Sequence, residues 1–380
     1  MTEVVGYKSK QKFRLFLMPV TALLLCGCTS FTRSELTSES LQTTLTVLAK
    51  KHNVCGVMVA VIKNRQLDAI HSATGCLPAP TLTQDSVFQA ASLSKPMFAY
   101  AVLKLVAQEK LSLDTPVVDY LPQGYQHQHN PLTLARAELV ADPRLRAITV
   151  RMALNHTSGL PNWAFGPLSF EATPGTKWEY SGEGYVLLQR AVETVTGTTL
   201  DHFMATQTFG PLAMDHSDYV WNERNTQKLL PGTKANGSPR ATPKWLNPNA
   251  AFSLYTSAQD YGTFMVAVLN DGEIIKRITA SPVTVDPALG LSWGLGWGIE
   301  RAREDTYIWQ WGDNMGYRAF AIASVRTGDG FVMLTNSENG LKLAQPITQK
   351  ILPGEHTIFK SPILGTNILV TLCNAVRLCM

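Results

Sequence analysis

Charge is scarce in this sequence: 16% of its 380 residues are Asp, Glu, Lys or Arg. The basic residues form no stripe, and no zinc-finger spacing is present, so nothing points to a nucleic acid as partner. Long apolar runs are also lacking. The longest, LFLMPVTALLL near the start, is too short for a strong membrane span. No internal repeat is visible, which sets aside solenoids and propellers. His127 and His129 lack further ligands at suitable spacing, so no metal and no cofactor are expected. What is abundant is apolar side chain, 45% of the chain, enough for a sizeable core and against disorder. The length favours one large or two smaller folding units.

The formal net charge is +4, and most of it lies in the first 27 residues, where Lys8, Lys10, Lys12 and Arg14 oppose Glu3. A basic stretch followed by a short apolar one is a targeting signal rather than part of a fold. Leu25-Cys26-Gly27-Cys28 closes it and resembles the lipobox of bacterial lipoproteins. That resemblance implies cleavage before Cys28, lipidation of its thiol and a place in the cell envelope. Thr29, rather than Asp, then favours the outer membrane, facing the periplasm, in a Gram-negative cell. The alternative is an ordinary secretory signal cut nearby. Residues 28–45 read as a polar tether.

Cysteine is sparse, with four left after such processing: Cys55, Cys76, Cys373 and Cys379. VCGVMVAVIK and QLDAIHSATGC read as two strands about a turn at Asn64-Arg65. The hairpin brings Cys55 near residue 74 and Cys76 within diagonal reach. A bridge between them and two buried thiols are both compatible with this.

Further on, a helix from Ser92 to about Lys110 is apolar on most faces and therefore buried. Residues 120–150 are loop-rich. Helical segments fall near 149–155, 184–197 and 257–270, and 222–250 form a long surface excursion. LSWGLGWGIE alternates with a period of two, as a strand does, and YRAFAIASV-RTGD-GFVMLTN is a second hairpin. Strands at both ends with helices between indicate a mixed α/β fold whose terminal strands share a sheet. The folded domain is expected over 46–357. Residues 358–380 are a tail of no evident role.

Ser92 and Lys95 form an S-x-x-K pair. A chain this long holds about one or two such pairs by chance, and the second is Ser9-Lys12 in the signal segment. Context favours the first. At a helix start, positions i and i+3 project to one face, and Pro96 suits a first turn. The N-terminal end of the helix favours negative charge on Ser92 Oγ. A lysine with a lowered pKa can accept the serine proton. The competing reading is a capping serine and a solvated lysine. Three other patterns are decoys. Gly290-Leu291-Ser292-Trp293-Gly294 matches a nucleophile elbow, but the next residues, LGWGIE, read as strand where that motif needs a helix. Ser337-Glu338-Asn339 and Arg326-Thr327-Gly328 imitate lactamase boxes in the wrong order.

Five blocks in order, FQAASLSK, ITVRMALNHTSGLP, PGTKWEYSGEGYVLLQRAVETVTG, AAFSLYTSAQDYGTFM and YIWQWGDNMGYRAF, resemble the serine β-lactamase-like family. The likeness is to the branch holding class C β-lactamases, D-Ala-D-Ala carboxypeptidases and related esterases. It implies an α+β fold, with a central antiparallel sheet flanked by helices and a mainly helical subdomain. It also implies roles. Ser92 would be acylated, Lys95 and Tyr180 would share proton transfer as a lysinium beside a tyrosinate, and the N–H groups of Ser92 and Asp313 would form the oxyanion hole. Gly182, Gln310, Trp311 and Gly312 would line the substrate site. His156 reads as a structural hydrogen-bonder.

Two positions depart from the family. Gly182 stands where class C enzymes carry an Asn whose amide helps hold the acyl side chain and the lysine. Gln310-Trp311-Gly312 replaces Lys-Thr-Gly, or the His-x-Gly of many esterases, so the cation that would bind a carboxylate is missing. Both departures point away from an efficient β-lactamase. The expectation is a serine hydrolase acting on an ester first, a D-amino-acid peptide second and a β-lactam third. The substrate is a small molecule, and the membrane is reached only through a lipid. The rival is a silent envelope protein that binds peptidoglycan fragments in the same cleft.

Overall fold

The computed structural model describes residues 38–132, 136–223 and 227–364. The signal segment, Cys28, Cys373 and Cys379 lie outside these residues. In chain order the helices and strands are α1 (Ser38–Lys51), β1 (Val57–Lys63), β2 (Gln66–Ala73), β3 (Val87–Gln89), α2 (Ser94–Ala107), β4 (Gln126–Gln128) and β5 (Ala137–Leu139). Then come α3 (Val150–Leu154), α4 (Gly182–Thr196), α5 (Leu200–Met204), β6 (Tyr255–Ser257), α6 (Ala258–Asn270) and α7 (Gly272–Thr279). The chain continues with β7 (Val283–Asp286), β8 (Leu291–Trp293), β9 (Gly298–Arg301), β10 (Thr306–Asn314), β11 (Tyr317–Ser324), β12 (Gly330–Thr335) and α8 (Ala344–Ile351).

Eight strands form one antiparallel sheet in the order β2-β1-β12-β11-β10-β9-β8-β7. The first hairpin pairs directly with the last strand, Val57 opposite Thr335, so the two ends of the domain share the sheet. Asn64 and Arg65 have φ of 50° and 61°, as a tight two-residue hairpin turn requires. A disulfide joins Cys55 and Cys76 just beyond this hairpin.

Both faces of the sheet are covered, which explains why the central strands are apolar without interruption. In β1, Met58, Ala60 and Ile62 enter the core shared with α2 and α6, while Val57, Val59 and Val61 face a second core built with α1 and α8. In β11, the first core takes the small residues Ala319, Ala321 and Ala323, and the second takes Phe320 and Ile322. Alanines on one face let the turn carrying Ser92 lie close against the sheet.

Three boundaries differ from the sequence expectations. The stretch read as a tether is helical from Ser38, because Leu41 and Leu45 repeat at helical spacing and are buried in the second core. Ile358, Phe359 and Leu364, beyond the expected end at 357, are buried in the same core. The buried Glu300 carboxylate fixes this segment by accepting hydrogen bonds from His356 Nδ1 and from Thr357 N–H and Oγ1. LSWGLGWGIE is not one strand but two, β8 and β9, joined by a tight turn closed by Gly294 N–H on Trp297 O at 2.8 Å. Gly296 takes φ 88° there, and a Cβ on it would lie 2.3 Å from Ala99. No helix follows Ser292, so the nucleophile-elbow reading is excluded.

Candidate active site

Ser92 sits in a single 3-10 turn, Ala91–Leu93, that feeds α2. Ala91 has φ 51°, a left-handed conformation that a residue with a Cβ holds only when its surroundings impose it. The surroundings are rigid. Ser94 Oγ donates to Ala91 O at 2.6 Å and accepts from Leu254 N–H. Tyr261 and Tyr219 donate their hydroxyls to Leu93 O and Ser94 O from elements more than a hundred residues downstream. These buttresses had no signal in the sequence, because a core tyrosine and a serine one turn into a helix look ordinary.

Lys95 lies one turn on from Ser92 and is fully buried. Its Nζ donates to Ser92 Oγ at 3.2 Å and to Ala251 O at 2.9 Å. Around the amine are the rings of Tyr180, Tyr185 and Trp163, with centroids at 4.7, 5.7 and 5.9 Å. Burial brings its pKa down from 10.5 to about 7. Ala251 follows directly on the stretch 222–250 that the sequence suggests to be a surface excursion, and Ala250, Ala251 and Leu254 are wholly buried. A backbone carbonyl leaves no sequence signature.

Tyr180 precedes α4, whose N-cap is Ser181: Ser181 Oγ accepts from Gly184 N–H at 2.9 Å. Ser181 N–H donates to His156 Nδ1 at 3.1 Å, so His156 orients the loop. Burial and the Lys95 charge hold that imidazole well below its usual range, which leaves it neutral. Gln310 Nε2 donates to Tyr180 Oη at 3.3 Å and to Ser92 O at 3.2 Å. Burial pushes the Tyr180 phenol up, and the neighbouring Ser92 and Gln310 side chains only partly offset this. The site therefore favours a neutral tyrosine beside a lysine that is half-neutral near pH 7, in place of the expected tyrosinate and lysinium. Burial penalises both charges of that ion pair.

Strand β10 carries the third box. Gln310 is buried and faces the serine turn, and Trp311 lies on Tyr180 with ring centroids 4.8 Å apart. Gly312 is needed for the approach itself: a Cβ there would fall 2.4 Å from Ala90 O. Asp313 comes next, its carboxylate held by Arg318 at 2.7 Å. The structure thus brings together Ser92, Lys95, Tyr180, Gln310, Trp311 and Gly312. Gly182 is different. Its N–H donates to Asn162, and a Cβ on it would lie 2.7 Å from the Trp163 ring and 2.6 Å from Asn162 O. The space of a side chain at 182 is filled by Trp163, a residue in none of the blocks that carry the family resemblance. The decoy Arg326-Thr327-Gly328 is the turn between β11 and β12, and His127, away from the serine, has its Nε2 3.3 Å from the Glu183 carboxylate.

Comparison with known proteins agrees with this geometry. A protein 26% identical over 338 residues, covering 76% of this chain and 82% of its own length, is penicillin-binding protein 4 of Amycolatopsis lactamdurans. Esterase EstB of Burkholderia gladioli is 30% identical over 171 residues, 37% of this chain and 40% of that protein. Among solved structures, the D-alanine carboxypeptidase AmpC of Burkholderia cenocepacia superposes with a TM-score of 0.68 at 17% identity, covering 83% of this chain and 99% of that one. The profile of the family described as Beta-lactamase matches residues 41–353. The chain belongs to the beta-lactamase family of serine hydrolases.

Proposed function

We propose that this protein hydrolyses carboxylic esters through an acyl-enzyme on Ser92. The observation that carries the reading is the buried amine of Lys95, 3.2 Å from Ser92 Oγ and with a pKa near 7. As a neutral amine it takes the hydroxyl proton while Ser92 Oγ forms a bond to the ester carbon. The resulting oxyanion would be met by the N–H groups of Ser92 and Asp313, a contribution of roughly 3 kcal/mol per donor. When the C–O bond breaks, the proton returns to the leaving alkoxide through Tyr180, which burial keeps neutral and which lies beside Ser92. Water then attacks the ester of Ser92 by the same route in reverse, releasing the acid and the free serine.

Ester is preferred to D-amino-acid peptide or β-lactam because of Gln310. A buried neutral amide offers a peptide or lactam carboxylate no charge-assisted bond. A small-molecule ester is accordingly the expected substrate class. We further propose that the chain is secreted and lipidated at Cys28, in the cell envelope, where a Cys55–Cys76 bond persists.

The test is mass spectrometry of the solubilised domain after p-nitrophenyl acetate and, separately, a penicillin, with Ser92→Ala as control. Ser92-dependent acylation by the ester and little by penicillin supports the reading. Rapid acylation and release with penicillin would make the protein a β-lactamase. No adduct on Ser92 with either reagent, nor with a fluorophosphonate, in folded protein would favour the silent binder.

A further inference from the structure

Two aromatic surfaces border the reacting group. One is Trp311, lying on Tyr180. The other is Trp163, which is half-buried, fills the space beside Gly182, and packs edge-on against Phe252 at 5.2 Å, which in turn meets Trp245 at 4.8 Å. Trp163 also reaches within 5.9 Å of Lys95 Nζ, so its ring borders the space above the catalytic amine. Its loop is fixed: Ala164 N–H donates to the buried Glu183 carboxylate at 3.0 Å, and Phe165, two residues on, is largely exposed.

We propose that Trp163 sets substrate specificity by forming an aromatic wall for the acyl group, and that the acyl groups this enzyme transfers to Ser92 carry uncharged, apolar substituents, such as arylacetyl or medium-chain acyl groups. The inference rests on the ester-hydrolase reading above. The leaving alcohol must accept its proton at Tyr180, which assigns it to the Tyr180–Trp311 side. The acyl substituent retained on Ser92 is then directed to the other wall. That wall offers ring faces and edges where a side chain at 182 would have offered polar groups. Neither Gln310 nor the half-neutral Lys95 provides a firm counter-charge for a carboxylate.

The test compares kcat/KM for p-nitrophenyl acetate, phenylacetate and monosuccinate in wild type, Trp163→Ala and Trp163→Phe. Wild type should prefer phenylacetate over acetate by about tenfold or more, as burial of a phenyl ring allows, and should accept monosuccinate least. Trp163→Ala should cut the phenylacetate-to-acetate ratio by about tenfold, and Trp163→Phe should keep most of it. Lengthening the alcohol of acetate esters should give a trend that Trp163→Ala does not alter. A flat acyl series in wild type, a preference for monosuccinate, or an unchanged ratio in a folded Trp163→Ala protein would overturn the inference. Labelling of Ser92 by a fluorophosphonate separates the cases. Labelled protein with a flat series defeats the aromatic wall alone, whereas unlabelled folded protein defeats the hydrolase reading and this inference with it.

Discussion

Replacing Lys95 with Met should make the protein more stable at neutral pH and remove part of its pH dependence. The side chain is fully buried, and its pKa falls from 10.5 to about 7, a change that corresponds to roughly 5 kcal/mol of unfavourable burial for the charged form. The sign comes from proton binding. Between pH 7 and 10.5 the unfolded chain holds the proton and the folded chain does not, so this group makes stability rise with pH across that window. Below pH 7 the penalty is present in full, and above 10.5 it is gone. From pH 7 to 9 the contribution amounts to roughly 2 kcal/mol. Methionine has similar bulk and no charge, so Lys95→Met lacks this slope. It leaves Ala251 O without its donor, at about 1–3 kcal/mol, independent of pH. Urea midpoints at pH 7 and 9 measure the difference, with m-values confirming comparable unfolding. The gap between variant and wild type should shrink by roughly 2 kcal/mol as pH rises from 7 to 9. The same titration should appear in catalysis, with wild-type kcat/KM for an ester rising with unit slope below pH 7 and levelling above. A constant gap between the two urea series, together with a flat rate profile through pH 7, would show a lysine of ordinary pKa and refute the proton-acceptor role.

Other perturbations test separate parts of the argument. Tyr180→Phe should slow acylation by about 10²–10⁴-fold, followed as burst kinetics; a loss under threefold would remove Tyr180 from proton transfer. Gly182→Ala should cost about 1–3 kcal/mol in thermal melts, because its Cβ would press on Trp163 and on the Asn162 carbonyl 2.6 Å away; an unchanged Tm would mean that the wall yields. Cys55→Ser opens a cross-link spanning 21 residues and should cost about 3 kcal/mol in urea titrations run without reductant; added dithiothreitol should lower wild type to the same midpoint and leave the variant where it is.

The sequence carried the fold well where period and chemistry agree. The hairpins that hold β1 and β11, the Asn64-Arg65 turn and the S-x-x-K pair at a helix start are all local signals. It carried the site less completely. Ser92, Lys95 and Tyr180 were legible as motif residues, but Lys95's partner is the carbonyl of Ala251, and any residue supplies a carbonyl. Trp163 was illegible for another reason. Its role exists only because Gly182, nineteen residues on in the chain, leaves room for it. The pairing of a lysinium with a tyrosinate weighs attraction alone. Burial, visible only in three dimensions, disfavours both charges.

The two departures from the family pattern act in one direction. An amide side chain at 182 would place a polar group beside the lysine, and a cation at 310 would place charge beside the tyrosine. Here Trp163 takes the first place, and the buried, neutral Gln310 takes the second, donating to Tyr180 Oη and Ser92 O. Burial is what lowers the Lys95 pKa, and it leaves part of the amine unprotonated, and so able to accept a proton, near pH 7. The same dryness that activates the lysine is unfavourable to a charged substrate. A carboxylate brought into this site would lose its water and gain only neutral hydrogen bonds, a cost of several kcal/mol that a neutral ester does not meet. Activation of the nucleophile and rejection of acids thus come from one property, the aromatic enclosure of Lys95.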